Sequence, residues 1–502
     1  MNEMPSESSS LSRSKKISQQ QRGERCERLQ KILKEVSPLD AVQLNYSTDP
    51  YVLSAYSQDL WPRKFLELRE KGPSEPSVEL VIWPKNTDEV AFILKWASQA
   101  DVSLFPYGAG SGVCGATMAS PFEKRPRVMV DLKAMRRVRS LQLKSMTMWA
   151  EVGIIGENLE RYLNQEGLSL GHFPSSIYCS TLGGYLATRS AGQLSTKYGK
   201  IEDMVLSVEF VLPDGTVTET GRAPRSAMGP DWTQLLLGTE GTLGFFTAAC
   251  LQIHQLPEAR LMQGFGAANI ELAIDFTRQL MQMGLRPSVL RIYDPLETTL
   301  TIHSEVLKKC NFSGGAAIIA VFEGRKGIAE AEWKEAKALA DQLGVQDLGT
   351  HLADHWWEHR YDVSYKQQLI LSHGRMILDT FELAVTWDRI EQVYYAVKNV
   401  KVGLGLILAH FSHFYHTGAN IYFSLISHAG FSGSSAEHYD KIWNGVLQAA
   451  LDSGASLSHH HGVGTLKNEW IRKEKGPWIE IFKKVKNGFD PENRLNPNKM
   501  GL

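Results

Sequence analysis

Three glycine-rich segments, each set between short apolar runs, constrain this chain more than any other feature. The first is Pro106-Tyr107-Gly108-Ala109-Gly110-Ser111-Gly112, which continues to Gly115. The second is Thr181-Leu182-Gly183-Gly184, continuing through Arg189-Ser190-Ala191-Gly192, and the third is Gly238-Thr239-Glu240-Gly241-Thr242-Leu243-Gly244. Glycine permits positive φ and lets bare backbone N–H groups approach an anion, which is how loops cradle pyrophosphates. The first segment lacks the lysine of a Walker loop, and no helix of the kind a dinucleotide fingerprint requires follows it. One such loop alone reads equally well as a surface turn. Three in succession point to a single extended, phosphate-bearing cofactor lying across several loops.

The rest of the chain must house that cofactor. At 502 residues it is too long for one compact core. Residues 1–22 are polar and expected to be a disordered tail, and 23–77 a helical and extended region. From 78 to 257, short strands such as Val78–Trp83 and Val102–Pro106 alternate with turns and a few helices. Asn86, with Glu89 three residues on, predicts a capped helix bearing Val90, Ile93, Leu94 and Ala97 on one face. Asp214-Gly215 predicts a hairpin. Beyond Pro257, helical patterns (Glu271–Met283, Ile328–Leu343, Trp387–Val400) alternate with strands such as Ala316–Phe322 and Asn420–Leu425. That texture predicts a second α+β domain over 258–477, with 478–502 returning to the first.

Charge and cysteine usage exclude other classes. With 54 Lys plus Arg against 55 Asp plus Glu, the chain has no cationic excess for nucleic acid. Its five cysteines (Cys26, Cys114, Cys179, Cys250, Cys310) are scattered and give neither a disulfide framework nor a zinc motif. No window approaches the ~20 apolar residues of a membrane span, and no secretory signal is legible. A cytoplasmic protein is expected.

Two strings in the second half carry the chemistry: Gly418-Ala419-Asn420-Ile421-Tyr422-Phe423, and Ser458-His459-His460-His461-Gly462-Val463-Gly464. Histidine serves as donor, base or acid near neutral pH and suits a dianionic phosphate ester. A tyrosine beside histidines is expected to have a lowered pKa and so to move a proton. On residue type alone, a buried tyrosine on the alternating strand Ile421-Tyr422-Phe423 is more often core than catalyst, and a solvated loop is the minority reading of the three histidines.

The three glycine segments, in this order and spacing, resemble the flavoproteins of the vanillyl-alcohol oxidase and p-cresol methylhydroxylase type over about residues 50–502. The resemblance implies an α+β fold: a two-part FAD-binding domain of that type plus an α+β substrate (cap) domain built on an antiparallel sheet. FAD contacts are implied at Pro106, Gly108, Ala109, Gly110, Ser111, Gly112, Pro174, Ser175, Thr181, Gly183, Gly184, Arg189, Ser190, Gly192, Glu240, Gly241, Thr242 and Gly244.

The second half separates the branches. Hydroxy-acid dehydrogenases of this type carry GDGNLH and GEHGIG, whose histidines and glutamate hold a metal. Here Tyr422 and His460 replace two of those ligands, so no metal is expected. Tyr422, His459, His460 and His461, with Gly171-His172-Phe173-Pro174-Ser175-Ser176, resemble the alkylglycerone-phosphate synthases. That family exchanges the acyl group of acyl-dihydroxyacetone phosphate for a long-chain alcohol through a flavin adduct, in ether-lipid synthesis. The alternative is an FAD-linked oxidoreductase of a 2-hydroxy acid or alcohol, using an external electron acceptor.

The synthase resemblance implies Tyr422 in proton transfer and His172, His459, His460 and His461 lining the base and phosphate subsites. It places Lys366 where the family carries a substrate-gripping arginine; a lysine is a point charge rather than a fork. It further implies a homodimer and peripheral membrane contact with a lipid substrate. Because no peroxisomal segment is legible, a bacterial member is expected. The first loop holds no histidine for flavin attachment, and Cys179 stands where family synthases have an apolar residue, so FAD is expected to be non-covalent.

Overall fold

The computed structural model describes residues 23–221, 223–362, 374–430 and 432–502. Lys366 and the 1–22 tail lie outside them.

Capping and apolar periodicity work locally as expected. Asn86 accepts from the Glu89 amide at 2.9 Å and starts the helix Thr87–Gln99, whose Val90, Ile93, Leu94 and Ala97 are buried. Glu89 reaches back to the amide of Lys85 (2.8 Å) rather than Asn86, a capping box shifted by one residue. The helix packs beside a four-stranded sheet in the order Asn45–Ser47, Leu80–Trp83, Arg127–Asp131, Ser103–Tyr107, parallel in its last three strands. A five-stranded antiparallel sheet follows, in the order Val138–Gln142, Thr147–Glu151, Phe245–Gln252, Val205–Val211, Val217–Glu219. The Asp214-Gly215 turn joins its last two strands, with Gly215 at φ 82°. These sheets and their helices share one apolar core.

The second core belongs to a seven-stranded antiparallel sheet. Its order is Gln346–Asp347, Ala259–Ala267, Ala316–Gly324, Val289–Tyr293, Leu404–Phe414, Gly418–His428, Met376–Thr386. Side chains alternate across a strand, so each row faces one way. The row Ile292, Phe411, Ile421, Leu383 joins the core beneath the helices Ile270–Gln282, Ile390–Lys398 and Ser435–Asp452. The adjacent row on the opposite face is polar, and the site is built there.

One helix starts later than its sequence pattern suggests. Trp387 donates its amide to Thr417 and its indole N–H to the carbonyls of Tyr415 and His416. It therefore extends the strand Met376–Thr386, and the helix begins at Ile390. Further on, the segment after the helix Trp478–Phe489 runs back to the first sheet, where Leu104 donates to Arg494 and accepts from Asn496.

Candidate active site

Tyr422 sits within a polar row that crosses four strands: Tyr293, His410, Tyr422, Glu382. Its ring stacks on His410, with centroids 4.6 Å apart and planes at 19°. The hydroxyl donates to Thr380 Oγ1 at 2.9 Å, and His410 Nδ1 lies 2.9 Å from Glu297 Oε1. Burial pushes the Tyr422 phenol up to about 12, with Asp379 and Glu382 adding to the rise and the Thr380 bond and Arg291 opposing it. The lowered pKa expected from neighbouring histidines is therefore corrected. Those histidines are buried and neutral, and a neutral ring offers no positive field to a phenolate.

The triple-histidine loop is wrapped around one carboxylate. Glu382 accepts from the amides of His459, His460 (3.3 Å) and His461 (3.0 Å), from Ser458 Oγ (3.0 Å) and from Lys467 Nζ (3.2 Å). Burial alone would raise this carboxyl; Lys467, His461 and the amides outweigh it and hold it below the ordinary range. A second buried carboxylate, Glu240 of the third glycine segment, accepts from the amides of Val463 (2.6 Å) and Gly464 (3.0 Å). A side chain at Gly464, whose φ is 54°, would lie 2.2 Å from the Cys114 carbonyl. The histidine loop is thus clamped between the first and third glycine segments.

The rings above this clamp form one cluster. His460 stacks on Tyr422 at 6.0 Å and His461 meets it edge-on at 5.6 Å. His459 Nε2 contacts Tyr415 Oη at 2.7 Å, and its Nδ1 lies 2.9 Å from His460 Nδ1. His413 joins from the neighbouring strand, stacked on His459 at 5.1 Å and hydrogen-bonded through Nδ1 to Ser195 Oγ at 2.6 Å. Burial keeps every one of these imidazoles neutral: His413 falls to about 3, His461 to about 4, and His459 and His460 well below the usual value.

The glycine segments touch one another. A side chain at Gly108 would meet Thr181 Oγ1 at 2.4 Å, and one at Gly241 would meet Pro106 at 2.3 Å. Thr181 caps the helix Leu182–Thr188 by accepting from the Gly184 amide at 3.2 Å. Gly183 donates to the Val152 carbonyl at 2.7 Å. Among the described residues, the amides of Ala109, Gly110 and Ser111 donate to no other group, and Asp59 Oδ2 and Thr117 Oγ1 are buried without partners.

Other members of the set have structural partners. Arg189 donates to the carbonyls of Leu237 (3.1 Å) and Gln234 (2.7 Å), joining the second segment to the approach of the third. Thr242 donates to the Thr239 carbonyl at 2.8 Å, and Gly244 packs against Phe210. Pro174 and Ser175 lie in the turn where Ile177 donates to the Pro174 carbonyl. His172 is buried beneath them, 3.3 Å from Ser190 Oγ and edge-on to Tyr185. Gly192 lets the backbone pass at His172 and Phe173, and Lys200 stands between His172 and the triple histidines, donating to the His459 carbonyl at 2.6 Å.

With this geometry in view, relatives can be compared. Residues 78–221 match the family described as FAD binding domain, and 256–500 match FAD linked oxidases, C-terminal domain. An alkyldihydroxyacetonephosphate synthase of Dictyostelium discoideum is 31% identical over 458 residues, covering 86% of this chain and 74% of the relative. The chain belongs to the FAD-linked oxidase flavoproteins. Another relative, the uncharacterized FAD-linked oxidoreductase YgcU of Escherichia coli O157:H7, is 30% identical and spans 92% of this chain and 96% of its own.

Among solved structures, an alkyldihydroxyacetonephosphate synthase superposes with a TM-score of 0.76 at 28% identity, covering 90% of this chain and 82% of that one. p-Cresol methylhydroxylase, at 16% identity and TM-score 0.71 over 96% and 97%, shares the fold. The two-part flavin domain and the antiparallel cap expected from the sequence are therefore present, and the protein is an FAD-dependent enzyme. The free amides of the first segment and the glycines that let three loops meet fit the pyrophosphate of this family's cofactor.

This flavoprotein's site also contains residues the sequence reading missed. Glu382, Lys467, His410, His413 and Arg291 all lie in or beside it. Arg291 shares a strand face with Tyr293, its Nε is buried without a partner, and its charge bears on His410, His413 and Tyr422. The signal was present in Ala409-His410-Phe411-Ser412-His413-Phe414, where polar residues interrupt an apolar strand.

Proposed function

We propose that this flavoenzyme exchanges the acyl group of acyl-dihydroxyacetone phosphate for a long-chain alcohol, forming alkyl-dihydroxyacetone phosphate, the product for which its Dictyostelium relative is named. One observation carries the reading: Tyr422, a protonated phenol, is packed among neutral His410, His460 and His461 beside the partnerless guanidinium nitrogen of Arg291. A neutral imidazole accepts a proton and a phenol of high pKa delivers one, so this face holds both a base and an acid. FAD, when bound, supplies the redox-active ring at which the exchange takes place. Arg291 gives the anionic end of the substrate a bidentate partner on the same sheet face, and Lys366 a second cation. Thr380 and Glu297 orient Tyr422 and His410. The glycine segments and the residues assigned to them would hold FAD without a covalent bond.

The test is fatty-acid release from acyl-dihydroxyacetone phosphate in the presence of a long-chain alcohol and no electron acceptor. Alkyl ether product with the flavin oxidised at rest supports the reading; no release sinks it. A second reading rests on the full-length match to an FAD-linked oxidoreductase. It expects a hydroxy acid or alcohol to bleach the flavin and reduce a dye.

A further inference from the structure

Three histidines from two separate segments converge above the sheet: His413 from the strand Leu404–Phe414, and His459 and His460 from the loop. One ring nitrogen from each lies within 4.8 Å of the other two. Their ring centres form a nearly equilateral triangle, 5.1 Å from His413 to His459 and 5.2 Å along each of the other sides. A tetrahedral ion with bonds of about 2.1 Å holds its imidazole centres roughly 5 Å apart.

The outer nitrogens are also engaged. Ser195 Oγ lies 2.6 Å from His413 Nδ1, and Tyr415 Oη lies 2.7 Å from His459 Nε2. Metal-binding histidines anchor the nitrogen that does not bind metal in this way, which fixes the tautomer and aims the other nitrogen inward. If His413 carries its proton on Nδ1 and His459 on Nε2, then His413 Nε2 and His459 Nδ1 are left without protons, and an ion would replace the hydrogen bond that now joins His459 Nδ1 to His460 Nδ1 at 2.9 Å. The Glu382 carboxylate, 4.0 Å from His460 Nδ1, offsets part of the positive field of Lys200 and Lys467.

We infer that His413, His459 and His460 form a binding site for one first-row divalent cation of the zinc class. The donor set is three imidazole nitrogens, which suits Zn²⁺, Co²⁺ or Ni²⁺ and not Mg²⁺ or Ca²⁺. It differs from the metal pattern of the hydroxy-acid dehydrogenases, whose positions here are Tyr422, His460 and His461; of these only His460 belongs to the proposed set. His413 lies outside both motifs, so a site that includes it is not legible in them.

The inference is independent of the substrate proposed above, since a synthase or an oxidoreductase would bind the ion alike. It is tested on chelator-treated holoprotein with FAD retained, titrated with Co²⁺ and followed by visible ligand-field bands beyond the flavin absorption. We expect saturation at one equivalent and displacement by Zn²⁺. His413→Ala should abolish the bands and His461→Gln should leave them unchanged. Ser195→Ala should weaken binding by about 10–100-fold, the usual effect of removing an outer partner. Absence of a saturable equivalent in the wild type overturns the site, as does a His413→Ala protein that titrates normally. If His413→Ala fails to retain FAD, the wild-type and Ser195→Ala titrations decide.

Discussion

The glycine segments and the histidine face meet at Glu240 and Gly464, yet they are built on opposite principles. The first is backbone chemistry: side chains are removed so that amides are exposed and loops touch, as Gly108 touches Thr181 and Gly241 touches Pro106. The second is side-chain chemistry: Arg291, Thr380, Glu382, His410, His413 and Tyr422 come from four strands of the seven-stranded sheet, and the triple histidines from a loop packed against it. A site of the first kind tolerates almost no addition. In one of the second kind, single groups can be removed while the frame stands.

The sharpest break should come at Gly110. A side chain there would lie 2.1 Å from Tyr107 Oη, on backbone at φ 67°. Gly110→Val is expected to purify without FAD, and the flavin-to-protein absorbance ratio measures it. A full flavin complement would remove the first segment from the cofactor site. Next in size is Tyr422→Phe, which keeps the ring packing and removes the proton. It should retain FAD and lose roughly 10²–10⁴-fold in turnover, the usual range for one acid–base group. Turnover near wild type would return Tyr422 to a packing role.

Glu382→Gln tests whether the histidine loop depends on a single charge. Neutralising it leaves Lys467 buried without its counter-ion, and breaking a buried pair costs about 3–5 kcal/mol. A urea midpoint unchanged from wild type would contradict the clamp.

A smaller effect concerns pH. His172 and His413 are held neutral by burial down to about 3. The unfolded chain takes up those protons below about pH 6.5. Between these limits the unfolded state binds more protons, so stability falls as pH falls. Each ring contributes a slope of about 1.4 kcal/mol per pH unit. Urea midpoints at successive pH values should show this decline, shallower by one proton in His172→Asn. The smallest expectation is no change at all. Burial raises the pKa of Cys179, which keeps it a thiol, so Cys179→Ser should leave flavin content and spectrum as they are. Acid precipitation should release FAD to the supernatant.

The same contrast decides what could be read from sequence. Gly108, Gly183 and Gly241 announce themselves, because a glycine cluster is itself the functional signal. Tyr422 and His459 to His461 were legible as short strings. Glu382 was not: its role depends on lying opposite Tyr422 across the strand pairing and beneath the amides of a loop far along the chain. Arg291 and His413 were hidden likewise, each an isolated polar residue in an apolar strand until register placed it. The Trp387 boundary failed for a related reason, since its amide and indole find partners in a turn that periodicity does not see.

The returning C-terminal segment bears on how the protein is made. Leu104, two residues before the first glycine segment, is paired with Arg494 and Asn496. Asn496 Nδ2 donates to the Glu240 carbonyl at 2.6 Å, Lys486 Nζ to that of Thr242 at 2.6 Å, and Lys499 Nζ to that of Gly115 at 2.7 Å. Two of the three glycine segments are therefore braced by residues that leave the ribosome after the whole cap has been synthesised. If these loops hold the flavin as proposed, its capture in final form must follow translation, and a nascent chain stalled within the cap would emerge unable to lock them.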